Sequence, residues 1–204
     1  MLDTEQKLNK ILDFLNNYKN ETNCRGVVLG ISGGKDSTVV AMLAKKIWGD
    51  NVVGVLMPNG MQKDISDSQE IVKTLNIRNY TVEIFNAYMS LISSIELQMS
   101  GRISEKALTN IPPRLRMTTL YAIAQTLGYR VIGTGNFSEA YVGWTTKWGD
   151  SAYDFNPIAN LTCTEVMEVG KVLAAEFGLP EKYVVKTPSD GLSGKSDEDI
   201  CFWA

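Results

Sequence analysis

Two glycines, a lysine, an aspartate and a serine close the stretch Gly30-Ile31-Ser32-Gly33-Gly34-Lys35-Asp36-Ser37. Paired glycines allow tight backbone geometry and close approach of a ligand. Successive backbone N–H groups leading into a helix make an anion site. With the cation of Lys35 the stretch reads as a phosphate loop, although not of the common G-x-x-x-x-G-K-[ST] form. Leu29 stands where the first glycine of that form belongs, and Asp36 where its hydroxyl belongs. An acid inside a phosphate loop repels phosphate unless a cation intervenes. Mg²⁺ held by Asp36 and shared with phosphate oxygens resolves the conflict. On the loop alone, a tight turn in which Asp36 merely caps a helix remains open.

The segment Thr134-Gly135-Asn136-Phe137-Ser138-Glu139 offers a second carboxylate. Glu139 and Asp36 would sit at the ends of neighbouring strands and could share one Mg²⁺. Equally, Glu139 suits a helix start, where the macrodipole favours an acid, and Thr134 suits ordinary strand-end hydrogen bonding. Histidine is absent from the chain. That excludes Ser-His-Asp and Cys-His catalysis and any histidine-held metal. A metal, if used, is a hard one bound by oxygens.

The elements that must position these residues follow from periodicity. Residues 4–20 place Leu8, Ile11, Leu12, Leu15 and Tyr18 at helical spacing, with Thr4 as N-cap. Buried strands are expected at 26–32 and 51–58, an alternating strand at 80–85 and another strand at 129–136. Helices are expected at 37–48, 63–75, 86–99, 112–127 and 164–177. The helix at 112 starts on the pair Pro112–Pro113, where proline is tolerated. Strand–helix alternation with crossovers implies a Rossmann-like α/β fold, a parallel sheet with helices on both faces. Ligands then bind at the C-terminal sheet edge. The segments 32–37, 58–62 and 134–139 all fall there.

With 204 residues the chain suits one domain, residues 1–204, with no interdomain linker. A net charge of −3 gives no drive toward nucleic acid or an anionic membrane. No apolar run reaches the roughly 18 residues of a membrane span, and the N-terminus lacks the pattern of a signal peptide. Cys24, Cys163 and Cys201 read as free thiols in a reducing cytoplasm.

Ser-Gly-Gly-x-Asp-Ser after the first strand resembles the PP-loop ATP pyrophosphatases, which split ATP between its α and β phosphates and adenylate a substrate. Three further segments narrow the resemblance: "NIPPRLRM" (110–117), "VIGTGNFSEAYVGWTTKWGD" (131–150) and "DFNPIANLT" (154–162). Together they are similar to the ammonia-dependent NAD synthetases, from the first helix to about residue 198. The resemblance implies a five-stranded parallel sheet, a homodimer with sites near its interface, and a reaction. Deamido-NAD, Mg-ATP and ammonia give NAD, AMP and pyrophosphate.

The resemblance also implies roles. Residues Gly30 to Ser37, Thr134 and Ser189 contact ATP, with Lys35 and Asp36 catalytic and Asp36 and Glu139 on Mg²⁺. Asn110, Arg114, Tyr121, Lys147 and Asp154 serve deamido-NAD, and Asp150 holds or deprotonates ammonium. Arg114 offers the planar fork that a carboxylate or phosphate accepts. Tyr121 also falls at helical spacing with Leu120, Ile123 and Leu127, which suits a core position. Without the resemblance, "TTKWGDSAYD" would read as a solvated loop. Residues 86–127 are the expected dimer face, although their Met and Leu content also suits a core.

Two departures stand out. Cys163 occupies a position where the family usually carries an ATP-contacting lysine, and Lys171 or Lys186 are the candidates to compensate. After Asp199 the resemblance ends in "ICFWA", short of the family pattern, which implies reduced turnover or simply a tail. The competing functions are another PP-loop amidotransferase and a nucleotide-binding module without turnover.

Overall fold

The computed structural model describes residues 3–60 and 65–186. Four parallel strands carry the fold: β1 (Val27–Gly30), β2 (Val52–Leu56), β3 (Arg78–Thr81) and β4 (Arg130–Val131). Their order is β3-β2-β1-β4. The register pairs Val28 with Val53 on one side and with Val131 on the other. From β1 the chain first winds outward to β2 and β3, then returns to lay β4 on the opposite side. The reversal point lies between β1 and β4, and crevices open at such points beyond the C-terminal strand ends.

Period-two burial builds two layers. Val27, Leu29 and Ile31 face one core, with α1 (Thr4–Glu21), α2 (Lys35–Trp48), α3 (Ile65–Thr74) and α7 (Cys163–Phe177) packed on that side. Val28, Val53, Val55 and Val131 face the other, covered by α5 (Glu105–Leu127) and reached by Ile84 ahead of α4 (Phe85–Met99). Each such fully buried side chain contributes roughly 1.5–3 kcal/mol. Helices α2 and α7 approach closely because position 170 is glycine. A Cβ there would lie 2.8 Å from Val39 Cγ2 and 2.9 Å from Val184 Cβ.

Several boundaries differ from expectation. Asp3, not Thr4, caps α1, accepting the Gln6 N–H while Gln6 reaches back to the Asp3 N–H. Helix α5 does not begin at the proline pair. Ser104 caps it and takes the Ala107 N–H, so Pro112 and Pro113 lie inside the helix. The strand expected at 80–85 sits at 78–81, and Phe85 already belongs to α4. The strand expected at 129–136 shortens to two residues.

Among the described residues the sheet has four strands rather than five. The fifth position holds one parallel bridge, Ile132 to Phe155. Asp154 Oδ2 accepts the Val131 N–H at 2.7 Å, where a fifth strand's carbonyl would stand. Pro157 has no N–H with which to extend the ladder. No helix among the described residues is long and apolar enough to cross a membrane.

Candidate active site

A cavity of about 740 Å³ opens over the C-terminal ends of β1, β2 and β4. The 30–37 loop forms one wall, the 132–135 segment the floor beside it, and the 143–152 loop the far wall. Helix α5 contributes Lys106, Thr109, Asn110, Pro113, Arg116 and Met117. These positions recur at i, i+3, i+4, i+7, i+10 and i+11, so they form one helical stripe.

The loop after β1 is braced from within. Gly33 has φ +83°, a conformation that favours glycine. Ser37 Oγ accepts the Ser32 N–H at 3.3 Å and donates to the Gly34 carbonyl at 3.1 Å. Thr38 Oγ1 donates to the same carbonyl at 2.8 Å. Gly34 is the N-cap of helix α2 and makes no side-chain cap bond. By contrast, α1, α6 (Phe137–Val142) and α7 all begin with capping boxes. The first-turn N–H groups of α2 thus lack a capping side chain and lie beside the cavity, the arrangement that an anion completes.

Lys35 and Asp36 form the charged centre. Lys35 is 2 % exposed, and its Nζ donates to Asp36 Oδ2 at 2.9 Å. Burial works against the lysine's charge. The attraction and hydrogen bond of Asp36 outweigh it, aided by Cys163 and Glu139, so the Lys35 pKa is raised above 10.5. This ammonium stays charged.

Asn136 ties the two predicted metal carboxylates together. It is 2 % exposed. Its Nδ2 donates to Asp36 Oδ1 at 3.1 Å. Its Oδ1 accepts the Glu139 N–H at 3.0 Å, and its own N–H donates to Glu139 Oε2 at 2.9 Å. One side chain thus caps α6 and braces Asp36. Among the described residues no group of three or more His, Cys, Asp or Glu side chains gathers as a metal cage. The donor set suits Mg²⁺ all the same, since that ion commonly takes one or two carboxylates and completes its shell with phosphates and water.

The other predicted residues divide. Thr134, Glu139, Asp150 and Asn110 line the cavity, as do all the loop residues except Gly33. Arg114, Tyr121, Lys147 and Asp154 lie outside its wall. Arg114 is exposed and its Nε donates to the Lys147 carbonyl at 3.2 Å. Tyr121 packs against the second core. Burial, then Asp154, raises its hydroxyl pKa above 10.0. Ser189 lies outside the described residues. Cys163 opens α7, its N–H donating to Ser138 Oγ at 3.1 Å. Of the two compensating lysines, Lys186 lines the cavity and pairs with Asp67 at 3.0 Å, while Lys171 pairs with Glu181 at 3.2 Å.

Arg116 is the cavity residue that sequence reasoning missed. Its Nε donates to the Met57 carbonyl at 3.3 Å. Burial lowers its pKa and the nearby Asp150 opposes that shift. Residues two apart on a helix point about 200° from each other. Arg114 and Arg116 therefore cannot both face the cavity, and the spacing with Thr109 and Pro113 selects Arg116.

Comparison with known proteins identifies the family. The family model described as NAD synthase matches residues 7–201. The NH(3)-dependent NAD(+) synthetase of Carboxydothermus hydrogenoformans is 43% identical over 95% of this chain and 79% of its own. That of Pyrococcus horikoshii is 42% identical over 98% and 74%. Among solved structures, an NMN synthetase from Francisella tularensis superposes with a TM-score of 0.87 at 35% identity, covering 98% of this chain and 82% of its own. The NH3-dependent NAD synthetase of Campylobacter jejuni, solved with a nitrate ion, gives 0.77 at 32% identity over 91% and 78%. The resemblance carried by the 30–37 loop and the segments at 110–117, 131–150 and 154–162 is borne out: the chain belongs to the NAD synthase family.

Proposed function

We propose that this chain is an ammonia-dependent NAD synthetase, which adenylates the nicotinate carboxylate of deamido-NAD with Mg-ATP and amidates it with ammonia. The observation that carries the reading is one cavity joining an uncapped phosphate loop to Asp150 across the α5 stripe. ATP and an amine can meet in it.

The roles follow from position. The α2 N–H groups and Lys35 hold the phosphates and oppose the charge that grows on departing pyrophosphate. Asp36 and Glu139 would hold Mg²⁺, which when bound neutralises phosphate charge. The nicotinate carboxylate displaces pyrophosphate from the α-phosphorus. Asp150, at the far wall, takes a proton from ammonium, and the resulting ammonia attacks the acyl-adenylate so that AMP leaves. Arg116 keeps that carboxylate beside a cation. Because Arg114, Lys147 and Asp154 lie outside the cavity, the distal half of the dinucleotide extends across them.

The reading includes a homodimer. Helix α4 exposes Phe85, Met89, Leu91, Leu97 and Met99, the last two 76% and 65% exposed, which supports a covering partner. It also places the enzyme in a reducing compartment, where the free thiols Cys24 and Cys163 stay reduced.

The test is NAD formation with ammonium varied, run beside nicotinate mononucleotide because one solved relative is named an NMN synthetase. The expected result is ammonium-dependent turnover with the higher kcat/KM for deamido-NAD. A higher kcat/KM for the mononucleotide would reassign the substrate. Binding of Mg-ATP with no AMP released under any condition would leave only a nucleotide-binding module.

A further inference from the structure

The loop that carries Asp150 has an unusual backbone. Trp148 has φ +60° although it is not glycine, and its side chain is 67% exposed. Such conformations persist only where surrounding contacts hold them. At the next residue a Cβ would lie 2.9 Å from Pro113 Cβ and 3.0 Å from Thr146 Cβ, so Gly149 lets the loop press onto α5.

Thr146 supplies the hold. It is a buried polar residue, 9% exposed, and all its polar atoms are engaged. Its N–H donates to Asp150 Oδ1 at 2.8 Å. Its carbonyl accepts the Gly149 N–H at 2.8 Å and the Ser151 hydroxyl at 3.0 Å. Its own hydroxyl donates to Asn110 Oδ1 at 2.7 Å, and Asn110 Nδ2 donates to the Lys106 carbonyl at 2.7 Å. A continuous chain of hydrogen bonds therefore runs from the α5 backbone to the Asp150 carboxylate.

We propose that Thr146, anchored by Asn110, is a positioning residue that sets the Asp150 carboxylate at the cavity wall for ammonium. This rests on the NAD synthetase reading and adds to it a control on the amine step that is separate from the ATP loop. Asn110 thereby acts through Thr146, with one hydrogen bond from each end of its amide committed to protein. Valine matches threonine in shape but not in hydrogen bonding. In Thr146→Val, Asn110 Oδ1 faces a methyl group and the loop loses the buried tie to α5 nearest Asp150, while the bond from Arg114 Nε to the Lys147 carbonyl remains.

The experiment measures KM for ammonium and for ATP in Thr146→Val, Thr146→Ser, Asn110→Leu and the Val/Leu double variant. Loss of one buried hydrogen bond predicts an ammonium KM raised about tenfold in Thr146→Val, with the ATP KM within about twofold. Serine keeps the hydroxyl and restores the ammonium KM. The double variant adds little to either single one, as expected for two ends of one interaction. If Thr146→Val fails to fold, Asn110→Leu reports the same bond from its other end. An unchanged ammonium KM, or equal rises in both KM values, would overturn the proposal. If the unaltered chain formed no NAD from ammonium, the underlying reading would fall and this inference with it.

Discussion

Replacing Asn136 by serine separates two jobs that one side chain performs. Serine caps a helix as well as asparagine does, so the start of α6 survives. It cannot reach Asp36 Oδ1, 3.1 Å from the asparagine nitrogen. A hydrogen bond to a charged partner is worth about 1.5–3 kcal/mol. Asp36 keeps Lys35 at 2.9 Å and is 16% exposed, so water and the lysine recover part of the loss. The expected destabilisation is therefore about 1.5 kcal/mol, the lower end of that range. Alanine at 136 loses the cap as well, adding about 1 kcal/mol. Urea unfolding of both variants measures the step between them. In kinetics, a loosened Asp36 predicts a Mg-ATP KM raised about tenfold, the equivalent of 1.4 kcal/mol, with the ammonium KM little changed. If the serine variant matched the unaltered protein in stability and Mg-ATP KM, while alanine lost only the cap, the bond to Asp36 would contribute nothing and the reasoning would fail.

Other outcomes test separate parts of the account. Cys163→Lys adds a cation beside the start of α6 and should lower the ATP KM about tenfold if it reaches phosphate; an unchanged KM would mean that Lys186 already fills the role. Glu165 is held below its ordinary 4.5 by the Thr162 N–H and then by Lys7. Its contribution to stability is complete above that value and is lost as pH falls through the lower folded value. Thermal melts of Glu165→Gln should consequently vary less as pH falls below 4.5 than those of the unaltered chain, and parallel curves would refute the assignment. The dimer proposed through α4 predicts that Leu97→Glu converts dimer to monomer in light scattering, and a particle of unchanged mass would rule out that face as the interface.

Much of this arrangement was legible in the residues. The apolar run at 26–32 predicted a buried strand, and the structure places helices on both of its faces. The glycines and acid of the 32–37 loop predicted a turn into a helix, and α2 begins at Lys35. Legibility ended where local signals compete with tertiary ones. Pro112 and Pro113 read as a helix start, yet the Ser104 cap and packing against the sheet carry α5 through them. Among the described residues a fifth strand does not form, because a side chain, Asp154, takes the Val131 N–H at the edge of β4. At the site, Arg116 went unread because the motif match rested on residue identity, whereas the cavity wall follows the helical phase of α5. Thr146 carries no sequence signal of its own, and the Asn136–Glu139 spacing signals only a helix cap; their further roles come from partners 36 and 100 residues away.

The central claim is adenylation of a carboxylate followed by amidation, and isotope transfer tests it most directly. Deamido-NAD carrying ¹⁸O in both carboxylate oxygens is incubated with the enzyme, Mg-ATP and ammonium, and the products are read by mass spectrometry. Attack on the α-phosphorus predicts one labelled oxygen in AMP and the other in the amide of NAD, with unlabelled pyrophosphate. Label in pyrophosphate or inorganic phosphate, or AMP free of label, would contradict the account.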